Sequence, residues 1–394
     1  MSDHGVDPST TAGRGGRGPR TATAVVLVAA LAAGCASVYD GFPAEAEIPQ
    51  CVALDRQAAA IPSRVRVVEA GTADGDPLHL AVEDRGPGDR GRVVVFLHGV
   101  FSDRRTWRFM VGPVAEEHDL LLVDLPGCGG SDCPEPGKMG PGGYDPDSMA
   151  RAVLGALRSA LRGRETARIT LATHSIGSAI ALRMLGSEAL RTEFADVVGR
   201  IDGAMLIAPV DFSYARRDPV LEQVADVSGT EIAIGNLLGL VREALAASVR
   251  DGCEHPERMP REEVDRMWEI FSDGPRRRAS QSMLRSAIPF TGDLRPDWPR
   301  IEALVRDYDR VRVPVLLVGG SRDDTLPPSL AFKLRQELPE AWLRVLPGAG
   351  HCLSTERPGE CARLLLDFIR SRGEGWTAYE EVPGAEGPVA SATQ

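Results

Sequence analysis

The amino-acid sequence predicts an α/β protein with a mostly parallel central sheet, helices on both faces and one helical insertion. Short, continuous apolar runs such as 92–97 and 313–318 are typical of strands buried on both faces of a parallel sheet. Apolar residues at helical spacing lie between such runs, for example at 147–161. About 100 residues between 208 and 313 contain no such run, and we expect them to form a helical cap.

Each remaining element is predicted from its local pattern. Residues 64–70 and 78–84 alternate between apolar and polar around a turn at 71–77, which predicts a hairpin. The other strands are predicted at 92–97, 120–124, 168–173, 204–208, 313–318 and 343–346. Helices are predicted at 104–117, 147–161, 176–185, 231–249, 261–271 and 358–370. Strands that alternate with helices in this way imply a parallel sheet covered on both faces.

Composition limits the classes of function. The chain has 394 residues, 43% of them apolar, which is enough for a sizeable core. Its formal net charge is −11, and its arginines are scattered among acidic residues. Because phosphate binding needs clustered Lys and Arg, this balance argues against a nucleic-acid partner.

The N-terminal region has the pattern of an export signal. A basic Gly/Arg-rich stretch precedes an uncharged apolar run at 21–34, which is too short to span a bilayer. The run ends in Leu-Ala-Ala-Gly-Cys at 31–35, which resembles the lipobox of bacterial lipoproteins. That resemblance implies a signal at 1–35, a lipid anchor on Cys35 and an exported protein on a bacterial membrane surface. An ordinary cleaved signal and an uncleaved anchor remain the alternatives.

The rest of the chain divides by composition. Residues 36–62 are rich in Pro and Ala and are predicted to be a tether between membrane and body. The first part of the core is expected at 63–210, the cap at 211–310 and the second part of the core at 311–372. The Gly-, Ala-, Pro- and Glu-containing segment 373–394 is predicted to be a disordered tail.

Six cysteines follow Cys35, and an even number in an exported chain permits disulfides. Cys128 with Cys133, and Cys352 with Cys361, are close enough in sequence for local bridges, which leaves Cys51 with Cys253 by subtraction. Six cysteines allow fifteen pairings, so the connectivity stays open. Their spacings match no zinc pattern, and we expect neither a metal nor a cofactor.

A candidate nucleophile follows the strand at 168–173. In the run RITLATHSIGSAIA (168–181), Ser175 stands where a buried strand turns sharply into a helix that starts with small residues. Such a turn lifts a serine hydroxyl out of the sheet and aims the N–H of the next residue, Ile176, at the same space. The local pattern is G-x-S-x-G with Thr173 in place of the first Gly.

A carboxylate and an imidazole follow two later strands. Asp323 lies in the loop 319–327 after one strand, and His351 follows the last strand. A serine hydroxyl needs a base to take its proton, and the imidazole needs a carboxylate to hold its tautomer. Ligand sites of parallel sheets lie at the carboxyl ends of the strands, so these three residues are expected to meet. Asp324 and Asp211 remain alternatives for the acid.

Five ordered segments resemble the α/β-hydrolase family, and in particular its lid-bearing, esterase-like members. They are His98-Gly99-Val100, the D-x-P-G-x-G-x-S loop at 124–131, the serine turn, the G-x-x-D-x-x-x-P at 320–327 and the G-x-G-H at 348–351. The resemblance implies the α/β-hydrolase fold and a Ser175–His351–Asp323 triad. It also implies an oxyanion hole from the N–H groups of Val100 and Ile176, with His98, Gly99, His174 and Gly177 in supporting positions.

The resemblance implies hydrolysis of a small-molecule carboxylic ester through an acyl-enzyme. A serine nucleophile argues against epoxide hydrolase or haloalkane dehalogenase chemistry, which needs a carboxylate there. Three alternatives stay open: an amidase or aminopeptidase with the same triad, acyl transfer to an acceptor other than water, and a membrane-tethered binding protein without catalysis.

Overall fold

The computed structural model describes residues 37–212, 224–291 and 295–382, and it confirms the predicted α/β architecture. Its sheet has nine strands in the order β1-β2-β4-β3-β5-β6-β7-β8-β9. The strands are β1 (Ser63–Ala73), β2 (Asp76–Arg85), β3 (Arg92–Leu97), β4 (Asp119–Val123), β5 (Arg168–His174), β6 (Ile201–Ile207), β7 (Val315–Gly320), β8 (Ala341–Leu346) and β9 (Tyr379–Glu381). β1 pairs with β2, and β2 with β4, in antiparallel fashion; every later pairing is parallel.

Fifteen α-helices are found in the described residues. They are α1 (Pro49–Ala59), α2 (Arg108–Ala115), α3 (Pro136–Met139), α4 (Pro146–Ala160), α5 (Ile176–Gly186), α6 (Glu188–Glu193), α7 (Ala195–Val198), α8 (Gly229–Leu237), α9 (Leu240–Asp251), α10 (Arg261–Ser272), α11 (Gly274–Ser286), α12 (Trp298–Arg306), α13 (Pro328–Glu337), α14 (Leu353–Glu356) and α15 (Pro358–Ser371).

The helices cover both faces of the sheet. Alternate residues of a strand point to opposite faces, so Val93 and Val95 of β3 join one core cluster, whereas Val94 and Phe96 join another. The first cluster includes the buried sides of α4 and α5, and the second includes those of α2 and α15. Burial on both faces explains why the central strands are continuous apolar runs.

The segment between β6 and β7 is a helical insertion, defined here as its described residues 224–291 and 295–306. A single helix predicted at 231–249 is instead two helices, α8 and α9. Gly239 separates them with a φ of +70°, a conformation that glycine adopts without steric cost. In the described part of the chain no single helix is long and apolar enough to cross a membrane; α8 and α9 meet the length and composition test only as a pair bent by 99°.

The predicted tether at 36–62 folds onto the body over its described residues. Phe42 is buried together with residues of the insertion, and Cys51 of α1 packs against Phe109 of α2. The Pro- and Ala-rich composition gave no helical signal for α1, because few of its residues are apolar. The predicted signal at 1–35, with Cys35, lies outside the described residues.

The predicted disordered tail is partly ordered. Residues 373–382 continue from α15, and β9 pairs with the outer edge of β8. Trp376 packs near Phe368, and Val382 is buried in the same cluster. The remainder, 383–394, lies outside the described residues.

The six described cysteines are free thiols, so the suggested pairings Cys128–Cys133, Cys352–Cys361 and Cys51–Cys253 are absent from this structure. The Cys361 thiol is buried and directed at the carbonyl oxygen of Leu353. The Cys352 thiol instead makes a side-chain hydrogen bond with Cys253, which belongs to the insertion. Nearness in sequence was therefore a poor guide to nearness in space.

Helix α4 lies so close to β1 that Gly155 has no room for a side chain. A Cβ there would come within 2.2 Å of the carbonyl oxygen of Ala70. We predict that Gly155→Ala lowers the free energy of unfolding by about 1–3 kcal/mol, because backbone must move. Gly359→Ala in α15 is the matched control, since its Cβ would meet nothing closer than 3.9 Å. Urea denaturation followed by circular dichroism compares the two, and equal midpoints would contradict the predicted close contact.

Candidate active site

Ser175 stands on the turn between β5 and α5, with a φ of +53° and a ψ of −119°. This conformation is strained for a residue with a Cβ and persists only where the surrounding structure holds it. The Ser175 N–H donates to the carbonyl oxygen of Ile207 in β6 at 2.9 Å. The side chain is consequently held at the carboxyl end of the sheet, as the sequence predicts.

Two glycines permit this turn because neighbouring groups approach closely. A Cβ on Gly177 would come within 2.6 Å of the carbonyl oxygen of Leu97, and a Cβ on Gly99 within 3.2 Å of the Ser175 Cβ. Thr173, which replaces the first Gly of the motif, is fully buried and shares a 2.9 Å hydrogen bond with the Ser178 hydroxyl. The turn therefore accommodates Thr173, because its buried hydroxyl is hydrogen-bonded to Ser178.

Two backbone N–H groups beside Ser175 have no hydrogen-bond partner among the described residues. Ile176 is the first residue of α5, so its N–H has no intrahelical carbonyl to donate to. Val100 lies in the loop after β3, next to Gly99, which packs against Ser175. Among the three described ranges, neither N–H makes a hydrogen bond. Paired free donors beside a serine are the arrangement of an oxyanion hole.

Asp323 and His351 are hydrogen-bonded to each other at the ends of β7 and β8. The His351 Nδ1 lies 2.9 Å from Asp323 Oδ2, and the other carboxylate oxygen accepts the N–H of Leu326 at 2.7 Å. Of the alternative acids, Asp324 is exposed and Asp211 accepts from the Tyr308 hydroxyl at 2.9 Å. The structure thus brings Asp323, among the three candidates, to the imidazole.

The Ser175 hydroxyl makes no hydrogen bond to His351 or to any other side chain of the described residues. The loop of His351 nevertheless reaches the serine turn, because the ring centroids of His351 and His174, the residue preceding Ser175, are 4.9 Å apart. Hydrogen bonds of this kind are often long in ligand-free sites and tighten when substrate binds.

Electrostatics prepare His351 to accept a proton at Nε2. Burial disfavours the imidazolium, but the charge of Asp323 and its hydrogen bond outweigh burial and raise the pKa of His351 above 6.5. Because Nδ1–H donates to the carboxylate, Nε2 is the basic nitrogen. A carboxylate with this geometry holds the tautomer and stabilises the cation that forms.

Two other histidines shape the site while remaining neutral. Burial, followed by repulsion from His351, lowers the pKa of His174 to about 3, and its Nε2–H donates to the His351 carbonyl oxygen at 3.0 Å. Burial also lowers the pKa of His98. His98 Nδ1–H donates to the Gly99 carbonyl at 2.7 Å, and its Nε2 accepts from Leu125 N–H at 3.0 Å. Both therefore fix backbone around Ser175 and His351.

Sequence reasoning missed the residues that hold the histidine loop. The His351 N–H donates to the carbonyl oxygen of Gly252 in the insertion at 2.8 Å. The buried carboxylate of Glu356 accepts the N–H groups of Gly350, Glu254 and His255 at 2.9–3.0 Å. Glu356 therefore joins the insertion to the loop of His351. A glutamate five residues after the histidine carries no local pattern that distinguishes it from a surface residue.

The insertion also contacts the loop that follows β3. Phe101, next to Val100, stacks on Phe271 of α10 with ring centroids 4.5 Å apart. Both rings belong to a buried cluster formed largely by the insertion. The two sides of the site, the loop of Val100 and the loop of His351, are therefore both fastened to the insertion.

Fold and site together define a hydrolase of the α/β class, and comparison with known proteins agrees. The model of the alpha/beta hydrolase family matches residues 94–364. The chain belongs to this family.

The proteins to which this chain is similar are named for different reactions. Epoxide hydrolase 3 of Xenopus tropicalis is 24% identical over 322 residues, covering 76% of this chain and 79% of that protein. Esterase YbfF of Escherichia coli is 22% identical over 279 residues, covering 70% of this chain and 92% of that protein. A serine hydrolase from Cycloclasticus zankles has the same fold, with a TM-score of 0.58 at 17% identity over 79% of this chain and all of that one.

Proposed function

We propose that this protein is a serine hydrolase that cleaves carboxylic esters through an acyl-enzyme, with Ser175, His351 and Asp323 as its triad. The observation that carries the proposal is the 2.9 Å hydrogen bond between His351 and Asp323 at the sheet edge where the strained turn presents Ser175. Serine alone is a poor nucleophile, and this pair supplies the oriented base that activates it.

The proposed reaction has two steps. His351 Nε2 takes the Ser175 proton while the hydroxyl oxygen attacks the ester carbonyl, and the N–H groups of Val100 and Ile176 stabilise the oxyanion. His351 then gives its proton to the departing alcohol. Water, deprotonated by His351, releases the acid from the acyl-enzyme. Each oxyanion donor of this type contributes roughly two to three orders of magnitude in rate.

The identity of the nucleophile separates this proposal from epoxide hydrolysis. Opening an epoxide through a covalent intermediate requires a carboxylate that forms an ester with the substrate carbon. This chain has Ser175 at the turn. A serine attacking a carbonyl carbon instead gives an acyl-enzyme, which water hydrolyses.

We also propose that the protein is exported and anchored by a lipid on Cys35, with the insertion acting as a cap over Ser175. The apolar run at 21–34 and its Leu-Ala-Ala-Gly-Cys end support export and anchoring. The contacts of the insertion with the loops of Val100 and His351 support the cap. A single acyl chain anchors weakly, so stable attachment requires more than one.

Labelling with a fluorophosphonate tests the activated serine. We predict strong labelling of the parent protein and none of Ser175→Ala or His351→Ala, because the probe reacts only with a serine whose proton is removed. Turnover of p-nitrophenyl esters should fall about a million-fold in both variants if the residues act as a unit. Ser329→Ala, at an exposed position on α13, is the matched control and should behave like the parent.

A folded parent that does not react would point to the tethered binding protein instead. Faster turnover of p-nitroanilides than of the matching p-nitrophenyl esters would identify an amidase.

The acid is tested by its effect on rate and pH dependence. Neutral His351 is the active base, so kcat/KM should rise as the pH rises through a pKa above 6.5. Asp323→Asn should lower kcat by about four orders of magnitude, because the imidazole loses its tautomer and its countercharge. Asp324→Asn, which changes an exposed neighbouring carboxylate, should leave kcat and the pH dependence of kcat/KM unchanged. Ester hydrolysis measured from about pH 5 to pH 9 checks this, and equal losses in the two variants would exclude Asp323 as the acid.

A further inference from the structure

The insertion carries an apolar surface that faces solvent. Ile234, Leu237 and Leu238, here called the apolar tip, are 54%, 87% and 59% exposed. They lie at the end of α8, where the chain bends by 99° into α9. Grouped exposed apolar side chains of this kind mark a surface that contacts a partner or a membrane.

The N-terminal end of the described chain is fastened beside this tip. The Val38 N–H donates to Glu243 Oε2 at 2.8 Å, and the Ser37 hydroxyl donates to the other carboxylate oxygen. The Tyr39 hydroxyl bonds Asp265 of α10 at 2.9 Å, and Phe42 is buried against the insertion. The first described residues therefore pack on the insertion.

Chain geometry relates the tip to the predicted anchor. Glu243 is on α9, five residues after Leu238, so their Cα atoms are at most about 12 Å apart, given two non-helical residues and three helical ones. Cys35 precedes Ser37 by two residues, and two residues span at most about 7 Å. A lipid on Cys35 would therefore hold the bilayer surface next to the apolar tip.

We propose that the apolar tip is a membrane-facing surface, which inserts into the bilayer to which Cys35 is anchored. Leucine and isoleucine side chains gain from leaving water, and α8 presents them at the protein surface. The proposal depends on the anchor proposed above and is independent of the ester hydrolysis. It places the cap of the proposed active site against the lipid.

Photo-crosslinking in the full chain tests this surface. Benzoylphenylalanine replaces Leu237, or Val67 as the matched control, because Val67 is a 62% exposed apolar residue on β1. The protein is bound to vesicles of phosphatidylethanolamine and phosphatidylglycerol, irradiated and analysed by mass spectrometry. We expect at least about tenfold more lipid adduct at position 237 than at position 67, since one buried leucine changes partitioning by about that factor.

Other products would overturn the proposal in distinguishable ways. Equal lipid adducts at both positions, or none on vesicle-bound protein, would place another face on the bilayer. Adducts to a second copy, or to residues 21–34 of the same chain, would identify a different occupant of the tip. Protein that fails to float with the vesicles would refute the anchor as well. Ester turnover measured on the same samples reports the proposed catalysis separately.

A second inference comes from the cysteines of the insertion and the histidine loop. Cys253 and Cys352 make a side-chain hydrogen bond; Cys253 lies in a buried cluster, and the partly buried Cys352 packs against that cluster. Their backbones also meet, because a Cβ on Gly350 would lie 2.9 Å from the Cα of Cys253, and His351 N–H donates to Gly252. Two thiols that share a hydrogen bond, on backbone segments that meet, need only side-chain rotation to approach disulfide geometry.

The geometry points to a Cys253–Cys352 disulfide that joins the insertion covalently to the loop of His351. The oxidant is a small-molecule or protein disulfide, as found in oxidising compartments. The Cys352 thiolate attacks this disulfide and releases one thiol; the Cys253 thiol then loses its proton and displaces the second. Two protein thiols are oxidised, and one external disulfide is reduced to two thiols.

The hydrogen bond from Cys253 favours the attacking thiolate, because it lowers the pKa of Cys352. The protonated form of His351, directly before Cys352, favours it further. Cys253 is the resolving partner, since the same hydrogen bond and burial raise its pKa. Exposure gives the same order, because Cys352 is partly exposed to an external disulfide whereas Cys253 is buried.

Peptide mapping after oxidation of the purified full chain by oxidised glutathione tests the pairing. Free thiols are alkylated and the protein is digested with trypsin without reduction. We expect peptide 251–258 joined to 345–363, with Cys361 alkylated, and the same link in Cys361→Ser but not in Cys352→Ser. Reduction should lower the Tm by about 6 °C, because the bridge closes a loop of about 100 residues. A Cys352–Cys361 bridge, or alkylated Cys253 after oxidation, would refute the assignment.

Discussion

One strained turn organises this molecule. Ser175 has a positive φ at the junction of β5 and α5, and such a conformation persists only if its surroundings enforce it. The enforcement comes from neighbouring strands: Ile207 of β6 accepts the Ser175 N–H, and the carbonyl of Leu97 at the end of β3 leaves no room for a side chain on Gly177. Three strands, β3, β5 and β6, thus position the Ser175 hydroxyl, and the apolar core on both faces of the sheet keeps these strands in register.

The second half of the site depends on the insertion. The loop of His351 is held by Gly252 and by the buried carboxylate of Glu356, which binds N–H groups on both segments. On the opposite side, Phe101 stacks on Phe271. A buried carboxylate that satisfies three backbone donors specifies one arrangement of the two segments, because leaving those donors unpaired is costly. Orientation of the proposed base is consequently coupled to docking of the insertion.

The strands were predictable because a strand buried on both faces must be a continuous apolar run. The runs at 92–97 and 343–346 lie within the observed β3 and β8. Secondary structure was mispredicted where one local pattern is compatible with two structures. Gly239 divides a helical pattern into α8 and α9, and residues 37–59, whose composition suggested a tether, fold because Phe42 and Cys51 find apolar partners on distant segments. The order in 373–382 likewise comes from the open edge of β8.

The sequence by itself determined the first eight strands, the insertion and the order of a serine, an acid and a histidine at three strand ends, because these follow from patterns within about a dozen residues. The residues alone left Asp323, Asp324 and Asp211 open, and the family resemblance favoured Asp323; the tertiary structure pairs Asp323 with His351. It also decided that Cys352 meets Cys253 rather than Cys361. Such choices depend on loops about 30 to 100 residues apart in the chain, which only the packing of the core brings together.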